Sequence, residues 1–313
     1  MYQAFFGLRE KPFALTPNTE FLVQMAPYQA CLNLLYVALK EGEGFIKVTG
    51  EVGTGKTLLC RTLLKQLSPA QYQLAYLPSP RISSVALGQA LARELHIKSV
   101  EDLNTQGLLE AWQHRLIELA AAGKSTVLLI DEAQAMPAAT LEALRLLTNL
   151  ETERSKLLQV VLFGQPELDV TLGRHEFRQL RQRITFAYRL RPLDLPETTR
   201  YLSERLAVAG YRGDPLFSPA AVRRLLRSSG GIARLLNILA HKALMVAYGE
   251  GRRQVTASHV RRAQRDNDDT QGAAPRSAWS GWRLAAGVLL VGLGGWLLGQ
   301  SDAAGSQLAL YWA

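Results

Sequence analysis

Cysteine is scarce in this 313-residue chain, which has only Cys31 and Cys60. Two cysteines inside apolar segments that are typical of helices make no disulfide framework, so a reducing compartment is expected for most of the chain. No group of Cys and His residues has the spacing of a metal site, which argues against a zinc protein. Residues 1–11 also lack the long apolar run and small-residue cleavage site of a signal peptide. These absences argue against a small secreted disulfide or zinc domain.

The overall composition is that of an ordinary globular protein. Hydrophobic residues make up 48% and charged residues 20% of the chain, with 25 glycines and 13 prolines. These proportions exclude a collagen-like, fibrous or wholly disordered protein. The length suits one large or two modest domains with a sizeable core.

Acidic residues are scarce in one stretch of the chain, 174–262. This stretch holds 18 Arg or Lys against 6 Asp or Glu, a net charge of +12. The remaining residues hold 18 basic and 21 acidic side chains, a net charge of −3. An Arg-rich block can face phosphate, an anionic membrane or the acidic surface of a partner. A set of solvated helix faces is an equally good interpretation of the pattern.

The hydrophobic pattern alternates between strand and helix as far as residue 192. Predicted strands lie at 45–49, 74–77, 127–130, 157–163 and 184–190. Predicted helices lie at 28–41, 56–67, 83–95, 105–122 and 141–150. Strands that alternate with helices indicate an α/β fold, in which helices cover both faces of a parallel sheet.

After residue 192 only helical patterns follow. They lie at 194–209, 217–228, 232–248 and 256–265. We therefore predict an α/β domain over 28–192 and a small helical lid domain over 193–265. The aromatic and proline-containing residues 1–27 are predicted to form an N-terminal docking segment.

One uncharged apolar run, 284–299, follows a polar linker over 266–283. Sixteen residues make about 24 Å of helix, less than the roughly 30 Å hydrocarbon core, but Trp282 and Arg283 extend the run. Its five glycines are unfavourable for a soluble helix and are tolerated in membranes. The segment is predicted to be a transmembrane helix, and a buried helix of a soluble domain is the alternative. The positive-inside rule leaves 300–313 as a short extracytoplasmic tail and the rest in the cytoplasm.

The strongest local motif is a phosphate loop. Residues 50–57 read GEVGTGKT and fit the pattern G-x-x-x-x-G-K-[ST] between a predicted strand and a predicted helix. Glycines let successive backbone N–H groups point at a phosphate, Lys56 reaches the β and γ oxygens, and the Thr57 hydroxyl coordinates Mg²⁺. The predicted ATP-binding residues are Gly50, Glu51, Val52, Gly53, Thr54, Gly55, Lys56, Thr57 and Leu58.

An acidic pair directly follows the short apolar run 127–130. Asp131 is predicted to hold Mg²⁺ together with Thr57, mostly through water. Glu132 is predicted to orient and polarise the water that attacks the γ-phosphate. The pair is expected to end a strand that neighbours the strand of the phosphate loop.

Four other polar residues suit the hydrolysis of ATP. Gln165 ends the apolar strand LLQVVLFG, which begins at residue 157, and is placed to sense the γ-phosphate, with an ordinary strand-end turn as the alternative. Arg234 lies at the start of a helix in the predicted helical domain and is placed to lean over the nucleotide and couple the two domains, with a surface salt bridge as the alternative. Arg181 and Arg183 are both candidates for an arginine finger given to a neighbouring subunit, and the sequence does not choose between them.

These motifs together resemble a known family. GEVGTGKT, LLIDEAQ, VVLFGQPEL, LRQRI and GGIARLLN are similar to AAA+ ATPases of the ExeA/GspA secretion type. FFGLREKPFALTPNTEFL and GEGFIKVTGEVGTGKTLLCRTLL more specifically resemble the MshM type, the ATPases of mannose-sensitive haemagglutinin pilus biogenesis. The resemblance covers residues 2–265 and implies Walker A roles for 50–57, Walker B roles for Asp131 and Glu132, and sensor roles for Gln165 and Arg234.

The resemblance also implies the setting in which the chain works. It implies an ATPase at the bacterial inner membrane, with a single membrane pass and a cytoplasmic ATPase domain. It uses ATP and Mg²⁺ to power or regulate assembly of a type IV (MSHA-like) pilus or related secretion machinery. The implied partners are further copies of the chain in a ring of six, pilus or secretion assembly proteins, and membrane lipid.

The chain departs from the family at two points. Tyr28 stands where these proteins usually have His shortly before the first helix, so no role is assigned to it. Secretion-type relatives carry a periplasmic peptidoglycan-binding domain beyond their membrane span, and 300–313 is too short to form one, so that function is not expected.

Two other functions are compatible with the same core motifs. One is a DNA-acting AAA+ ATPase of the transposition or initiator type, which the Arg-rich stretch 174–262 suits. The apolar run 284–299 and the lack of a clear recognition helix argue against it, so nucleic acid is not the expected partner. The other is a scaffold that binds ATP and barely hydrolyses it, and the intact pair Asp131 and Glu132 argues against that.

Overall fold

The structure is a computed structural model that describes residues 2–15, 25–78, 80–98, 103–147 and 156–266. No helix in these ranges is long and apolar enough to cross a membrane. The predicted transmembrane helix 284–299 and the tail 300–313 lie outside the described residues, as does nearly all of the predicted linker.

Five parallel strands form the centre of the fold, in the order β2-β3-β4-β1-β5. The strands are β1 (Phe45–Gly50), β2 (Tyr72–Leu77), β3 (Ser125–Ile130), β4 (Leu158–Gly164) and β5 (Ile184–Leu190). The predicted parallel sheet is thus confirmed. Because the strands are parallel, all of their carboxyl ends lie at one edge of the sheet, which is where ligands bind in open α/β sheets.

The strand order corrects one expectation from the sequence. Asp131 and Glu132 follow β3, which pairs with β2 and β4 and not with β1. β4 pairs with both β1 and β3, so it separates the phosphate-loop strand from the acidic pair. The prediction of adjacent strands was wrong because parallel strands are joined by crossovers, and a later strand can enter the sheet between two earlier ones.

Helices connect the strands and extend beyond the last one. The α-helices in the described ranges are α1 (Tyr2–Phe6), α2 (Ala26–Lys40), α3 (Lys56–Gln66), α4 (Ser84–Glu94), α5 (Thr105–Ala121), α6 (Ala138–Leu147), α7 (Pro166–Leu172), α8 (Arg178–Arg183), α9 (Leu195–Val208), α10 (Pro219–Ser229), α11 (Ala233–Gly249) and α12 (Ala257–Arg265). The sequence pattern did not reveal α1, α7 or α8. Each has five to seven residues, too few to show helical periodicity.

Both faces of the central strands β1, β3 and β4 are largely buried, and β3 shows why. Val127 and Leu129 point to the face covered by α2 and α3, whereas Leu128 and Ile130 point to the face covered by α4, α5 and α6. All four side chains are fully buried. Full burial of each such side chain contributes about 1.5–3 kcal/mol, which explains a strand that is apolar on both sides.

The helices after β5 pack on one another and on the first residues of the chain. α10, α11 and α12 contact each other, and α9 contacts α10. The Tyr2 hydroxyl lies 2.9 Å from His241 Nδ1 on α11, and Arg253 stacks over Phe5 while donating to its backbone oxygen at 2.8 Å. Together with the hydrogen bonds of Arg205 on α9 to the Pro12 and Ala14 oxygens, these contacts place residues 2–15 beside α9 and α11.

Candidate nucleotide-binding site

The phosphate loop joins the carboxyl end of β1 to the first turn of α3. Gly53 has φ +81° and Gly55, the N-cap of α3, has φ +101°, values that L side chains rarely adopt. A Cβ on Gly53 would lie 2.6 Å from Arg234 Cβ, so this glycine is needed for space as well as for conformation. The loop therefore presents bare backbone at a helix N-terminus, the arrangement that binds phosphate.

Lys56 lies beneath this loop and is 5% exposed. Its Nζ donates to the backbone oxygens of Gly50 at 2.7 Å and Glu51 at 2.9 Å. Burial lowers the pKa of Lys56, and the nearby carboxylates of Glu132 and Asp131 oppose that shift. The carbonyl oxygens next to this buried ammonium are neutral. A bound anion would therefore stabilise the ammonium, because its negative charge offsets the cost of burying a positive one.

Thr57 and Asp131 contact each other across the sheet edge. The Thr57 hydroxyl hydrogen-bonds the Asp131 carboxylate, which also accepts from the backbone N–H of Glu132 at 2.9 Å. Burial raises the pKa of Asp131, and these two hydrogen bonds partly offset the shift. A hydroxyl and a carboxylate are hard oxygen ligands of the kind Mg²⁺ prefers. The described residues contain no group of three or more His, Cys, Asp or Glu that would hold a metal without a ligand's help.

Glu132 is held by two side-chain amides. Its Oε2 accepts from Gln134 Nε2 at 2.5 Å and from Gln165 Nε2 at 3.0 Å. The Gln134 oxygen in turn accepts from the backbone N–H of Gln165 at 2.9 Å. Glu132 also has φ +54°, an uncommon backbone conformation that clusters at functional sites. The two amides thereby fix the direction of the Glu132 carboxylate.

Arg234 lies in the first turn of α11, against the phosphate loop. Its backbone N–H donates to the Gly53 oxygen at 3.0 Å. Because this bond joins the loop directly to α11, the helix start and the loop form one surface. The side chain of Arg234 is exposed and borders the cavity described next.

A cavity of about 340 Å³ brings most of the predicted residues together. Its lining combines a polar set beside the phosphate loop with an apolar set between α2, α3 and α11. The polar residues are Lys56, Thr57, Glu132, Gln165 and Arg234. The other residues include Ala14, Leu15, Tyr28, Leu58, Tyr201, Arg205, Ala233 and Asn237. A cavity of this size with few, convergent polar groups is typical of a small-molecule site.

Sequence reasoning missed several of these cavity residues. The Tyr28 hydroxyl donates to the Thr54 oxygen at 2.9 Å and lies close to Gly55, so α2 supports the phosphate loop. Asn237 is three residues beyond Arg234 on α11, a spacing that puts both on one face and was a signal available in the sequence. Tyr201 and Arg205, four residues apart on α9, carried the same signal, but nothing in the sequence showed that α9 reaches the cavity.

The two arginine-finger candidates lie away from this cavity. Arg181 and Arg183 are near the end of α8, and neither is among the residues that line the cavity. The Arg181 side chain is exposed, whereas Arg183 is half-buried and has a contact of its own. The structure thus brings neither arginine to the site of its own chain.

Part of the chain that forms this site matches a known family of domains. Residues 39–172 match the family model described as an AAA domain. The fold is a P-loop AAA-type α/β fold. Within the AAA domain lie the phosphate loop, the acidic pair and Gln165, whereas Arg234 and Asn237 lie beyond the matched range.

One curated relative matches over most of the chain. General secretion pathway protein A of Aeromonas hydrophila is 41% identical over 298 residues, which are 95% of this chain and 54% of that protein. The chain therefore spans about half the length of this relative.

Solved structures share the fold at low sequence identity. The Aeropyrum pernix ORC2 protein, in complexes with ADPNP and ADP, matches with a TM-score of 0.61 at 18% identity over 83% of this chain and 72% of that chain. Cdc6p from Pyrobaculum aerophilum matches with a TM-score of 0.62 at 19% identity over 82% and 70%. The Thermotoga maritima RuvB motor matches with a TM-score of 0.52 at 16% identity over 78% and 70%. At such identities the likeness concerns the fold alone.

Proposed function

We propose that this chain binds ATP with Mg²⁺ and hydrolyses it to ADP and phosphate. The observation that carries the proposal is the single cavity in which Lys56, Thr57, Glu132 and Gln165 meet beside the phosphate loop. Lys56 and the loop N–H groups bind the phosphates. The Lys56 ammonium then pairs with charged phosphate oxygens in place of its neutral carbonyl partners. Thr57 and Asp131 hold Mg²⁺, which neutralises charge on the phosphate oxygens when it is bound.

Glu132 is the residue that positions the attacking water in this proposal. Its carboxylate borders the cavity, and its direction is fixed by Gln134 and Gln165. Gln165 contacts Glu132 and borders the same cavity, so it links the presence of the γ-phosphate to the carboxylate. This supports the sensor role that the family resemblance implies.

The proposed active unit is an oligomer in which a neighbouring subunit completes the site. An arginine that stabilises transition-state charge is worth about 10³ to 10⁵ in rate. Of the two candidates, exposed Arg181 is better placed to reach a neighbour than half-buried Arg183. The ring of six remains the expectation from family resemblance.

In the cell we propose a membrane-anchored ATPase that serves an envelope machine. The relative is named for the general secretion pathway, which supports a secretion-associated role. The motif resemblance narrows this to assembly of a type IV (MSHA-like) pilus or a related system at the inner membrane. Residues 284–299 are the proposed single membrane span, with the ATPase domain in the cytoplasm.

Two variants test the ATPase proposal. Lys56→Ala is expected to abolish binding of fluorescent ATP, whereas Glu132→Gln is expected to retain binding and lose at least about 99% of phosphate release. Tight ATP binding by Lys56→Ala would show that the phosphate loop is misassigned. Normal turnover by Glu132→Gln would remove Glu132 from its role.

A deletion tests the membrane anchor. The full-length protein is expected to stay in the membrane fraction when membranes are extracted with carbonate. The variant that lacks residues 284–313 is expected to be released. Continued membrane association of the deletion variant would place the anchor elsewhere. A steeply salt-sensitive mobility shift on duplex DNA by either form would favour the DNA-acting alternative.

A further inference from the structure

The apolar part of the cavity contains an amide side chain, Asn237, whose orientation the structure fixes. Asn237 is 7% exposed, lines the cavity and accepts at its Oδ1 from the Tyr201 hydroxyl at 3.0 Å. Tyr201 is 4% exposed and accepts at its own hydroxyl oxygen from Arg205 Nη1 at 3.1 Å. The three side chains form a directed chain of hydrogen bonds across α9 and α11.

The direction of this chain follows from what each group is able to donate. A guanidinium only donates, so the Tyr201 oxygen must accept from Arg205 and its single proton must point at Asn237. The Asn237 atom at that position is therefore the carbonyl oxygen, since the amide nitrogen would offer a second donor. Arg205 is itself fixed, because its Nε donates to the Pro12 oxygen at 2.6 Å and its Nη2 to the Ala14 oxygen at 3.3 Å.

This arrangement leaves the Asn237 amide nitrogen with its donors toward the cavity. Among the described residues it has no hydrogen-bond partner, although its side chain is more than nine-tenths buried. Asn237 Nδ2 is not among the fully buried, unpartnered polar atoms of the described residues, so it is reachable from the cavity, where a ligand can supply an acceptor. The same cavity is also lined by Leu15, Tyr28 and Ala233, which suits a flat, largely apolar group with an acceptor at its edge.

We infer that Asn237 recognises the adenine base of ATP by donating from Nδ2 to one ring nitrogen, with Tyr201 and Arg205 as positioning residues. The inference rests on the proposed function, because the phosphate loop must hold the other end of the same ligand. Adenine fits the demand, since its faces are apolar and its N1, N3 and N7 atoms are acceptors. The Pro12 and Ala14 carbonyls tie the recognition to the docking of the N-terminal segment.

Three ATP analogues, each with one ring nitrogen replaced by carbon, test the inference on the full-length chain in detergent with Mg²⁺. One of 1-deaza-, 3-deaza- and 7-deaza-ATP is expected to bind the native chain about five- to tenfold more weakly than ATP, the worth of one buried hydrogen bond. Asn237→Ala is expected to bind ATP with the same loss and no longer to distinguish that analogue. Titration calorimetry, which needs no turnover, measures all four affinities.

Two further variants keep the test decisive. Tyr201→Phe removes the hydroxyl that orients the amide and is expected to weaken the discrimination without altering Asn237 itself. Gln159→Leu is the matched control, since Gln159 is a buried amide near the amino end of β4, away from the cavity, and does not line it. This variant should distinguish ATP from the analogue as well as the native chain does. Equal affinities of the native chain for ATP and all three analogues would overturn the inference while leaving the ATPase proposal intact. Failure of the native chain to bind ATP at all would overturn both.

Discussion

At the scale of single residues, the proposed ATPase site separates groups expected to bind the nucleotide from groups expected to direct its hydrolysis. Lys56 and Thr57 border the cavity directly, whereas Gln134 reaches it only through Glu132 and the backbone of Gln165. Substitution of Gln134 should therefore change the direction of the Glu132 carboxylate without removing a contact to the ligand. Binding and turnover should therefore respond differently to substitution there.

Gln134→Ala is expected to leave the Kd for ATP within about twofold and to lower turnover about tenfold, since misdirection of Glu132 removes on the order of 1.4 kcal/mol of transition-state stabilisation. Phosphate release and fluorescent-nucleotide anisotropy on the same preparation measure the two effects. Gln106→Ala is the matched control, because Gln106 is an exposed amide on α5 whose side chain donates to Glu110. Turnover by Gln134→Ala at the native rate would show that Gln134 has no positioning role.

Asp131 should make the nucleotide-free protein less stable at neutral pH than its amide counterpart. Burial raises the pKa of Asp131 above its unfolded value, so the ionised form is disfavoured in the folded state. The resulting loss of stability is absent below the unfolded pKa, grows as the pH rises toward the folded pKa, and is complete above it. Asp131→Asn is thus expected to raise the unfolding temperature at pH 7 and to raise it less near pH 4.

Thermal unfolding with and without Mg²⁺ and ATP measures this trade between stability and function. With the ligands present the advantage of Asp131→Asn should shrink or reverse, because the amide is a poorer ligand for Mg²⁺ than the carboxylate. Asp266→Asn, on an exposed residue at the end of α12, is the control and should change neither curve. A lower unfolding temperature for Asp131→Asn at pH 7 without ligands would contradict the argument.

At the scale of elements, local sequence patterns predict the type and bounds of a helix or strand well when these depend on residues within that element. β5 was predicted with its observed bounds, and the first residue of α3 follows from the phosphate-loop motif. The position of β4 between β1 and β3 was not predictable, because strand order depends on contacts between residues far apart in the sequence. Tyr28 and Tyr201 were missed for the same reason, since α2 and α9 reach the cavity only in the folded chain. Asn237 was missed although its spacing from Arg234 indicated that the two share a helix face.

The contact between the phosphate loop and α11 is testable with two glycines of similar backbone conformation. Gly53 has φ +81° and faces Arg234 Cβ, whereas Gly123 has φ +74° with open space where a Cβ would be. Gly123→Ala is expected to cost about 1–2 kcal/mol of unfolding free energy from backbone strain alone. Gly53→Ala is expected to cost more, and to weaken ATP binding at least about tenfold, because the loop must also move away from α11.

Chemical denaturation and nucleotide binding of both variants provide the comparison. A loss of ATP affinity by Gly123→Ala equal to that of Gly53→Ala would mean that general destabilisation causes the effect. Equal stability losses with unchanged affinity in both would show that the approach of α11 to the loop is dispensable for binding.

At the scale of the whole described chain, one cavity draws on residues from Ala14 to Asn237. It joins the N-terminal segment, the sheet edge and the helices after β5. These elements share buried apolar contacts, and hydrogen bonds of Gly53 with Arg234 and of Arg205 with Pro12 also join them directly. ATP bound as proposed would contact both α11 and the N-terminal segment, so their arrangement is expected to differ between nucleotide states.

Sharing of the site between subunits should appear when two inactive variants are mixed. Glu132→Gln removes the group that positions water, and Arg181→Ala removes the exposed candidate finger, so neither homo-oligomer should turn over ATP appreciably. In a mixed oligomer some interfaces pair an intact Glu132 of one subunit with an intact Arg181 of its neighbour, so activity is expected to reappear. In a random mixture of equal amounts, about a quarter of the interfaces have both groups, so the rate should reach at most about a quarter of the native rate. Arg183→Ala in place of Arg181→Ala is the matched control and should need no such rescue, because the Arg183 side chain is half-buried and already engaged. Phosphate release is measured across mixing ratios and protein concentrations with the full-length chain in lipid. Activity that rises linearly with concentration, together with no recovery in either mixture, would show that each chain hydrolyses ATP on its own.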